Sequence, residues 1–313
     1  MSKYIESPIF YMGNKYKLLK SLIALFPKQC SDFIDAFGGS GVVSCNYQGS
    51  NYTTYVDNNP NTVKLIKLVK QSDPDELHKY LVETQHEFKL DKKLDYKERV
   101  VQYNALRNRY NEHRDIRDLY LLSCCSINHL IRYNSNGDFN APCGYGKYKA
   151  SDYRKLGNFN YAFRDVMVIH SSVFDIDWTV GIPKDAFFYF DPPYSSSTAV
   201  YNESRAFGHW TEKDDKKLFN LCDELSNQGI KWGMSNVFEI KEKTNSKLEK
   251  WAKQNHYNVY HLNRNYSAFG SGSSESDEVY ICNYDALDMN IKGLNLENKQ
   301  TKKYENKRKS LVE

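Results

Sequence analysis

The strongest constraint on the fold of this chain is the alternation of strand and helix patterns in its first 57 residues. An apolar strand pattern at 32–36 leads into three closely spaced glycines, a short helical pattern covers 42–47, and a second strand pattern at 52–56 ends in an aspartate. Strands separated by a helical segment usually pair in parallel, with the helix packed on one face of the sheet. This βαβ opening predicts an α/β protein built on a parallel sheet.

The middle third of the chain has a different pattern from its flanks. Strand signals disappear between 59 and 129, where charged, amphipathic stretches predict helices. An Asn136–Gly137 pair within 131–142 predicts a hairpin with a type I′ turn, because both central residues of that turn need positive φ. The remaining predicted strands lie at 166–170, 186–190, 230–236, 257–262 and 278–284, and the remaining predicted helices at 15–26, 213–227 and 240–254.

These patterns divide the chain into a sheet domain and an inserted module. We predict a doubly wound sheet domain formed by residues 1–58 and 160–290, interrupted by a mostly helical module over 59–159 that contains the hairpin. The last segment, 291–313, is expected to be a flexible tail. It carries the chain's net charge of +4, because 292–313 has seven Lys and Arg residues against three Glu.

The composition excludes several classes of protein. With 40% hydrophobic and 26% charged residues, the chain is neither disordered nor collagen-like. No run approaches the about 18 apolar residues of a membrane span, and the N-terminus lacks the pattern of an export signal, so we expect a cytoplasmic protein. The seven cysteines form no C-x-x-C pair and the eight histidines no H-x-x-x-H pair. We therefore expect buried, reduced thiols and no metal site.

The first motif with chemical content is the glycine loop that follows the strand at 32–36. Gly38, Gly39 and Gly41 let the backbone approach a ligand closely, although the G-x-G-x-x-G spacing and a phosphate-binding lysine are missing. Asp57 ends the next strand, 18 residues after Gly39, where a carboxylate can accept both hydroxyls of a ribose. The combination predicts a nucleoside ligand without a phosphate anchor. S-adenosylmethionine fits this description.

The second motif is Asp191-Pro192-Pro193-Tyr194, directly after the apolar strand at 186–190. Two prolines fix φ and end the strand, so the Asp191 side chain and the Pro192 carbonyl are held rigidly at its end. Ligands of open α/β sheets bind at the carboxyl ends of the strands. The motif is therefore a candidate catalytic site.

These motifs resemble those of amino-methyltransferases that use S-adenosylmethionine, and more narrowly the DNA adenine methyltransferase (Dam) family of the D12 class. The pieces occur in the family's order: YMGNKYKLL at 11–19, the FGGSG loop, IRYNSNGDFNAPCG at 131–144, and then DPPY. The chain departs from the family at Asn14, where a second glycine is usual, and at 145–149, which is longer. The resemblance implies a Rossmann-like methyltransferase sheet with an inserted DNA-recognition domain. It also implies cofactor contacts by Tyr11, Lys15, Asp35, Phe37, Gly39, Asp57, Phe174, Asp175 and Asp191.

The same resemblance implies a role for the insertion in reading DNA. Five basic residues against two acidic ones between 128 and 155 could also contact phosphates. Arg132 has an independent physical case, because a guanidinium can donate two hydrogen bonds to guanine O6 and N7. The implied DNA contacts are Asn128, Leu130, Arg132, Asn134, Pro142, Lys147 and Lys149. Four of them, Asn128, Leu130, Arg132 and Pro142, match family positions that suggest GATC or a site containing it.

The expected reaction explains the residue types in the DPPY motif. An exocyclic adenine amine is a poor nucleophile because its lone pair is delocalised into the ring. If Asp191 and the Pro192 carbonyl accept its two N–H groups, the lone pair is freed to attack a methyl group. Tyr194 would stack on the adenine, which must be flipped out of the duplex, and 195–210 would cover it as a lid. No metal is needed because the leaving thioether is neutral.

Alternative functions remain open at this point. Cytosine N4 or a glutamine side chain offers similar amine chemistry, although a glutamine enzyme would usually have Asn at position 191. A DNA-binding regulator without turnover could retain the fold. The leading expectation is a site-specific adenine-N6 methyltransferase that acts on double-stranded DNA as a monomer or weak dimer, without a membrane or a metal. A restriction–modification, phage or housekeeping role is compatible with it.

Overall fold

The computed structural model describes residues 4–11, 13–178, 180–194, 210–240, 243–262 and 276–286. These residues form a single β-sheet with helices on both faces. In chain order its strands are β1 (Cys30–Asp35), β2 (Ser50–Asp57), β3 (Met167–His170), β4 (Phe187–Phe190), β5 (Lys231–Ile240), β6 (Lys243–Thr244), β7 (Asn258–His261) and β8 (Ser276–Cys282). The described helices are α1 (Leu19–Leu25), α2 (Pro60–Gln71), α3 (Pro74–Glu87), α4 (Tyr96–His113), α5 (Ile116–Cys125), α6 (Ala150–Phe163), α7 (Glu212–Asn227) and α8 (Ser246–Gln254).

The order of the strands in the sheet is β3-β2-β1-β4-β5-β8-β7, and the short β6 pairs with β5. Strands β1 to β5 are parallel, whereas β8 is antiparallel to both β5 and β7. The chain therefore builds outward from β1 to β3 and then returns to place β4 on the other side of β1. This order confirms the predicted α/β fold with a doubly wound sheet.

Alternation along the strands explains why both faces of the sheet are covered. Phe187 and Tyr189 of β4 belong to one apolar core together with α1, while Phe188 and Phe190 belong to another with α7 and α8. Successive residues of a strand point to opposite faces. A fully apolar central strand therefore needs helices on both sides, as parallel sheets usually have.

The helices α2 to α6 lie in the sequence between β2 and β3 and share one apolar core. Four of these five helices begin after an Asn or Asp whose side chain accepts a backbone N–H of the first turn. These N-caps are Asn59, Asp73, Asp95 and Asp115. Such caps satisfy backbone donors that have no partner inside the helix. The predicted helical character of 59–129 is confirmed.

The helix predicted at 42–47 is wrong, because this segment forms a series of turns. The Cys45 and Tyr47 amides donate to carbonyl oxygens four residues earlier, but the Asn46 amide donates to Val43 instead. The Asn46 side-chain amide donates instead to the Val42 carbonyl oxygen at 2.8 Å. An Asn side chain that replaces a backbone donor in this way prevents consecutive helical hydrogen bonds.

The hairpin predicted within 131–142 is present only as an isolated bridge between Tyr133 and Phe139, and its predicted type I′ turn is wrong. Gly137 has a φ of +79°, whereas Asn136 is not among the residues with positive φ. The Gly137 amide donates to Asn134 O, and the Asn134 amide donates to Asp138 O. These bonds describe a three-residue loop with the glycine in the left-handed position, the second common hairpin geometry.

Two other boundaries differ from the sequence analysis. The helix predicted at 240–254 begins only at Ser246, after Asn245, whose side chain accepts from the Leu248 amide at 3.2 Å. Helix α6 was not predicted, although an Asp152 carboxylate that accepts from the Lys149 amide at 2.8 Å marks its start. All seven cysteines are buried free thiols, as expected. None of the helices in the described ranges is both long and apolar enough to cross a lipid bilayer.

Candidate active site at the carboxyl edge of the sheet

The site lies at the carboxyl end of β1, the strand that has β2 on one side and β4 on the other. Asp35 is the last residue of β1, Asp57 the last of β2, and Asp191 follows β4 directly. Strand β1 pairs in parallel with both β2 and β4, so the three carboxylates belong to one edge of the sheet. A crevice at this point of an open α/β sheet is the usual place for a ligand.

Asp57 connects the glycine loop to the chain beyond β2. Its Oδ2 accepts from the Gly39 amide and its Oδ1 from the Asn59 amide, both at 2.8 Å. The residue is 6% exposed, and burial raises its pKa against the opposing effect of these two hydrogen bonds. Each carboxylate oxygen has a second lone-pair position. Asp57 can therefore hold the loop and still accept hydrogen bonds from a ligand.

Two tyrosine rings explain why the loop needs glycine. A Cβ on Gly38 would lie 2.1 Å from the Tyr55 ring, and one on Gly39 would lie 2.9 Å from the Tyr11 ring. Gly39 also has a φ of +49°, which side chains disfavour. The Tyr55 hydroxyl donates to Gly39 O at 2.8 Å. The main chain of the loop is thus held against Tyr11 and Tyr55, both of which are too close for a larger residue.

Asp35 is a carboxyl group inside the protein. It is 1% exposed, and Ser44 Oγ donates to its Oδ2 at 2.6 Å. Burial is the main cause that raises the pKa of Asp35 from 3.8 to about 7; the charges of Asp191 and Asp57 contribute to this rise, and the Ser44 hydrogen bond opposes it. Asp35 therefore changes its protonation state near neutral pH.

This group should make the free energy of unfolding fall as the pH rises. The pKa of Asp35 is about 7 in the folded chain, compared with 3.8 for an ordinary aspartate, the value taken for the unfolded chain. The folded state therefore binds the proton more tightly. The stabilisation is full below the lower value and is lost as the pH rises through the higher one. Asp35→Asn should remove this dependence. Between about pH 5 and about pH 8, urea denaturation should show the variant gaining about 2 to 3 kcal/mol relative to the unchanged chain. Parallel pH profiles of the two proteins would contradict the assignment.

Lys15 and Asp191 form an ion pair within the site. Lys15 Nζ lies 2.6 Å from Asp191 Oδ2, donates to Gly13 O at 3.0 Å, and lies 5.4 Å from the centre of the Tyr194 ring. Lys15 is 5% exposed. Burial lowers its pKa, but the neighbouring Asp191, Tyr194 and Glu278 together outweigh this effect, so the pKa of Lys15 is raised overall. The sequence assigned Lys15 to the cofactor, whereas in the structure its ammonium group is bound by the candidate catalytic carboxylate.

The rest of the DPPY motif surrounds this pair. Pro192 is buried, and Pro193 and Tyr194 are half-buried. Burial is the main cause that raises the pKa of Tyr194, so its hydroxyl stays neutral.

Asn14, where the family usually has glycine, lies one residue before Lys15 in the sequence, and its side chain accepts from the Tyr16 amide at 2.7 Å. This bond starts the turn that leads into α1. The predicted lid lies outside the described residues, except for Trp210.

A group of aromatic rings lies beyond the ends of β1 and β3. The Phe174 and Trp210 rings are stacked with centres 5.9 Å apart, and Phe37 meets Trp210 edge-on at 5.4 Å. Phe174 lies in the turn Val173–Asp175 after β3, where its amide donates to Ser172 Oγ at 3.2 Å. Asp175 is exposed. Phe37 and Phe174, both implied as cofactor contacts by the resemblance, therefore each contact Trp210.

Sequence reasoning missed two residues of this site. Trp210 was assigned to the lid, although its position directly before Thr211, the N-cap of α7, indicates a fixed place at a helix start. Its Nε1 donates to Asp215 Oδ1 at 2.7 Å. Glu278 of β8 is 5% exposed and lies near enough to Lys15 to raise its pKa. No local pattern indicates Glu278, because β8 reaches the site antiparallel to the other strands.

The predicted DNA contacts lie in and beside the loop at 131–142. Arg132 Nε donates to Asn140 Oδ1 at 2.9 Å and its Nη2 to Asn140 O at 2.7 Å. Asn134 Oδ1 accepts from the amides of Asn136 and Asp138 and so closes the turn. Leu130 is half-buried. The other predicted contacts are exposed: Asn128, Pro142, Lys147 and Lys149.

Comparisons with known proteins agree that this chain is similar to DNA methyltransferases. A family model described as D12 class N6 adenine-specific DNA methyltransferase matches residues 11–268. The modification methylase StsI of Streptococcus sanguinis is 33% identical over 296 residues, which cover 92% of this chain and 44% of that protein. The type II methyltransferase M.FokI of Planomicrobium okeanokoites is 31% identical over 290 residues, covering 90% of this chain and 43% of that protein.

A smaller part of the chain matches shorter relatives. A DNA adenine methylase of Haemophilus influenzae is 30% identical over 198 residues, which cover 59% of this chain and 62% of that protein. The chain spans less than half the length of the StsI and M.FokI methylases. Among the described residues, no group of three or more His, Cys, Asp or Glu side chains could hold a metal ion.

Proposed function

We infer the function of this chain from its family: it belongs to the D12 class of N6 adenine-specific DNA methyltransferases. We propose that it transfers a methyl group from S-adenosylmethionine to N6 of an adenine in double-stranded DNA. The observation that carries the proposal is the Lys15–Asp191 pair, 2.6 Å apart, at the end of β4. The pair holds a carboxylate at the strand edge where ligands of such sheets bind.

The charges of the site fit the proposed cofactor. Asp35, Asp57 and Asp191 lie at this edge of the sheet, where Lys15 is already paired with Asp191. Such a site disfavours phosphate and favours a ligand that carries positive charge. S-adenosylmethionine has a sulfonium and an ammonium group and lacks phosphate. Asp57 would accept its ribose hydroxyls, Asp35 or Asp191 its amino group, and the rings of Phe37 and Phe174 would flank its adenine.

The residues of the chain supply orientation and polarity to the reaction. When bound, S-adenosylmethionine supplies an electrophilic methyl group, and a neutral thioether leaves. Asp191 and the Pro192 carbonyl would each accept one N–H of the target amine, which frees its lone pair. The Lys15 ammonium favours the charged form of Asp191, so that this residue accepts hydrogen bonds. Tyr194 would stack on the base after it leaves the duplex.

The function is tested by the product. The chain is incubated with S-adenosylmethionine labelled in its methyl group and with plasmid DNA, and the DNA is then digested to nucleosides. Labelled N6-methyl-2′-deoxyadenosine is the expected product. Labelled N4-methyl-2′-deoxycytidine would replace the proposal with the cytosine reaction. DNA binding without any labelled nucleoside would indicate a regulator.

For the insertion, we propose that residues 59–159 form a DNA-recognition domain carried by a catalytic domain of residues 1–58 and 160–290. Exposed Lys147 and Lys149 would contact phosphates, and Asn128, Leu130, Arg132 and Pro142 would contact bases at GATC or a site containing it. Asn140 is the present partner of Arg132. An Asn oxygen can be exchanged for guanine O6 and N7 with little loss, because guanine offers two acceptors to the same guanidinium.

Arg132→Ala is expected to relax the methylated motif at one guanine while leaving nonspecific DNA affinity nearly unchanged. Loss of a bidentate contact costs about 1 to 3 kcal/mol of discrimination. Methylation is mapped on a plasmid treated with each protein, with Lys149→Ala as the control, since loss of a phosphate contact weakens binding to all sequences alike. An unchanged motif in the Arg132 variant would reject the base contact. A wild-type motif without GATC would reject that site.

A further inference from the structure

The segment at 141–148, which follows the recognition loop, is held by its main chain. Five of its carbonyl oxygens accept hydrogen bonds from side chains of α3 and α4. The pairs are Ala141 with Tyr103, Cys143 with Tyr96, Gly144 and Gly146 with Arg99, and Tyr148 with Gln85. Gln85 Oε1 also accepts from the Tyr148 amide at 2.8 Å. Side chains of two helices therefore help to set the course of this segment.

Arg99 of α4 makes two of the bonds to this segment and a third to Leu90 O. It is 5% exposed. Its Nε donates to Gly144 O at 2.8 Å, its Nη1 to Leu90 O at 3.0 Å, and its Nη2 to Gly146 O. The planar fork of a guanidinium can reach two carbonyl oxygens on either side of one residue, which a lysine ammonium cannot do in the same geometry. Arg99 thus fixes the main chain on both sides of Tyr145.

Gly144 and Gly146 press this part of the segment onto the end of α5. A Cβ on Gly144 would lie 2.8 Å from the Ile127 amide, and one on Gly146 would lie 2.2 Å from Cys124 O. Neither position has room for a side chain. Tyr145, between them, is 75% exposed, and its ring lies 5.4 Å from the half-exposed ring of Tyr96.

The exposed residues around Tyr145 have the chemistry of a nucleic-acid contact. Lys147 and Lys149 follow it, and Pro142 precedes it, all of them exposed. An aromatic ring can stack on any base or pack on a sugar, and neighbouring lysines neutralise phosphates. By contrast, Tyr103 and Tyr148, which lie close by, are buried in the core.

We propose that Tyr145 is a DNA contact of this protein and that Arg99 is the positioning residue that presents it. The proposal rests on the proposed function, because it assumes a DNA substrate. It assigns a role to the longer segment at 145–149, where the chain departs from the family. The two glycines and the Arg99 hydrogen bonds fix the main chain on both sides of Tyr145, and its side chain is exposed to solvent.

Tyr145→Ala is expected to raise the KM for DNA by roughly 5- to 150-fold, the effect of losing one aromatic contact to a base. The probe is a short duplex carrying the motif that the unchanged chain methylates. The kcat and the Kd for S-adenosylmethionine should stay nearly constant. Tyr52→Ala is the matched control, because Tyr52 is 71% exposed but lies near the start of β2, at the opposite edge of the sheet. Equal KM values for both variants would overturn the proposal.

Arg99→Lys should raise the same KM, with a kcat similar to that of the unchanged chain. A merely structural defect would instead lower kcat through loss of folded protein and leave KM unchanged. Arg109→Lys, which removes another guanidinium fork from α4, is the control, because Arg109 donates to Asp118 and Glu87.

The coupling of Arg99 and Tyr145 is measured with the double variant. If Arg99 acts through Tyr145, the two increases in KM should be non-additive by at least about twofold. Full additivity would overturn the positioning role. Failure of the unchanged chain to methylate or bind duplex DNA would overturn the proposed function and this inference together. Methylation with an unaltered KM in Tyr145→Ala would overturn only this inference.

Discussion

Asp191→Asn is expected to reduce the rate of methyl transfer by about a hundred- to a thousandfold. Asn keeps one acceptor oxygen but has no negative charge, so the target amine would lose the charged acceptor that polarises it most strongly. The affinity for DNA should remain, because the residue lies at the end of β4 and the proposed DNA contacts lie in the insertion. The rate is measured as transfer of labelled methyl in a single turnover, with DNA affinity measured in parallel.

The control for this result addresses the buried ion pair. Asp191→Asn removes the counter-charge of Lys15, whose Nζ is 2.6 Å from the carboxylate, and the resulting unpaired ammonium could itself disturb the site. The double variant Lys15→Met with Asp191→Asn lacks both charges of the pair. It should be as inactive as the single variant. Recovery of turnover in the double variant would show that charge balance, and not the carboxylate as an acceptor, was lost.

Lys15→Met is expected to lower the free energy of unfolding by about 3 to 5 kcal/mol, the cost of removing one partner of a buried ion pair. Lys15 is 5% exposed and Asp191 is 17% exposed, so solvent can compensate the remaining carboxylate only in part. Urea denaturation at neutral pH measures the effect. Lys17→Met is the matched control, because Lys17 is exposed in the same turn. A loss no larger than that of the control would mean that the pair contributes nothing to stability.

The sequence predicts this site well wherever function depends on the end of a parallel strand. Asp57 is the last residue of β2 and Asp191 directly follows β4, and parallel strands bring such residues to one edge without further information. The pairing of Lys15 with Asp191 could not be predicted, because it joins a turn before α1 to the end of β4. Glu278 was missed for a related reason, since it comes to the site on an antiparallel strand.

Local errors have local physical causes. The pattern at 42–47 is apolar enough for a helix, but the Asn46 side chain takes a carbonyl oxygen from the ladder. The Asn136–Gly137 pair suits two kinds of hairpin loop, and only Gly137 has positive φ. Helix α6 was missed because Asn, Gly and aromatic residues, which are weak helix formers, make up much of it. Its packing against α2 and α3 stabilises what its sequence does not.

The hydrogen bond from the Asn59 amide to Asp57 Oδ1 has a consequence for the geometry of the whole chain. Asn59 is also the N-cap of α2, so the first helix of the insertion starts two residues from a carboxylate of the crevice. Such a short, bonded connection leaves no linker between the two parts. If the insertion contacts DNA as proposed, this short connection fixes the number of base pairs between the contacted sequence and the modified adenine.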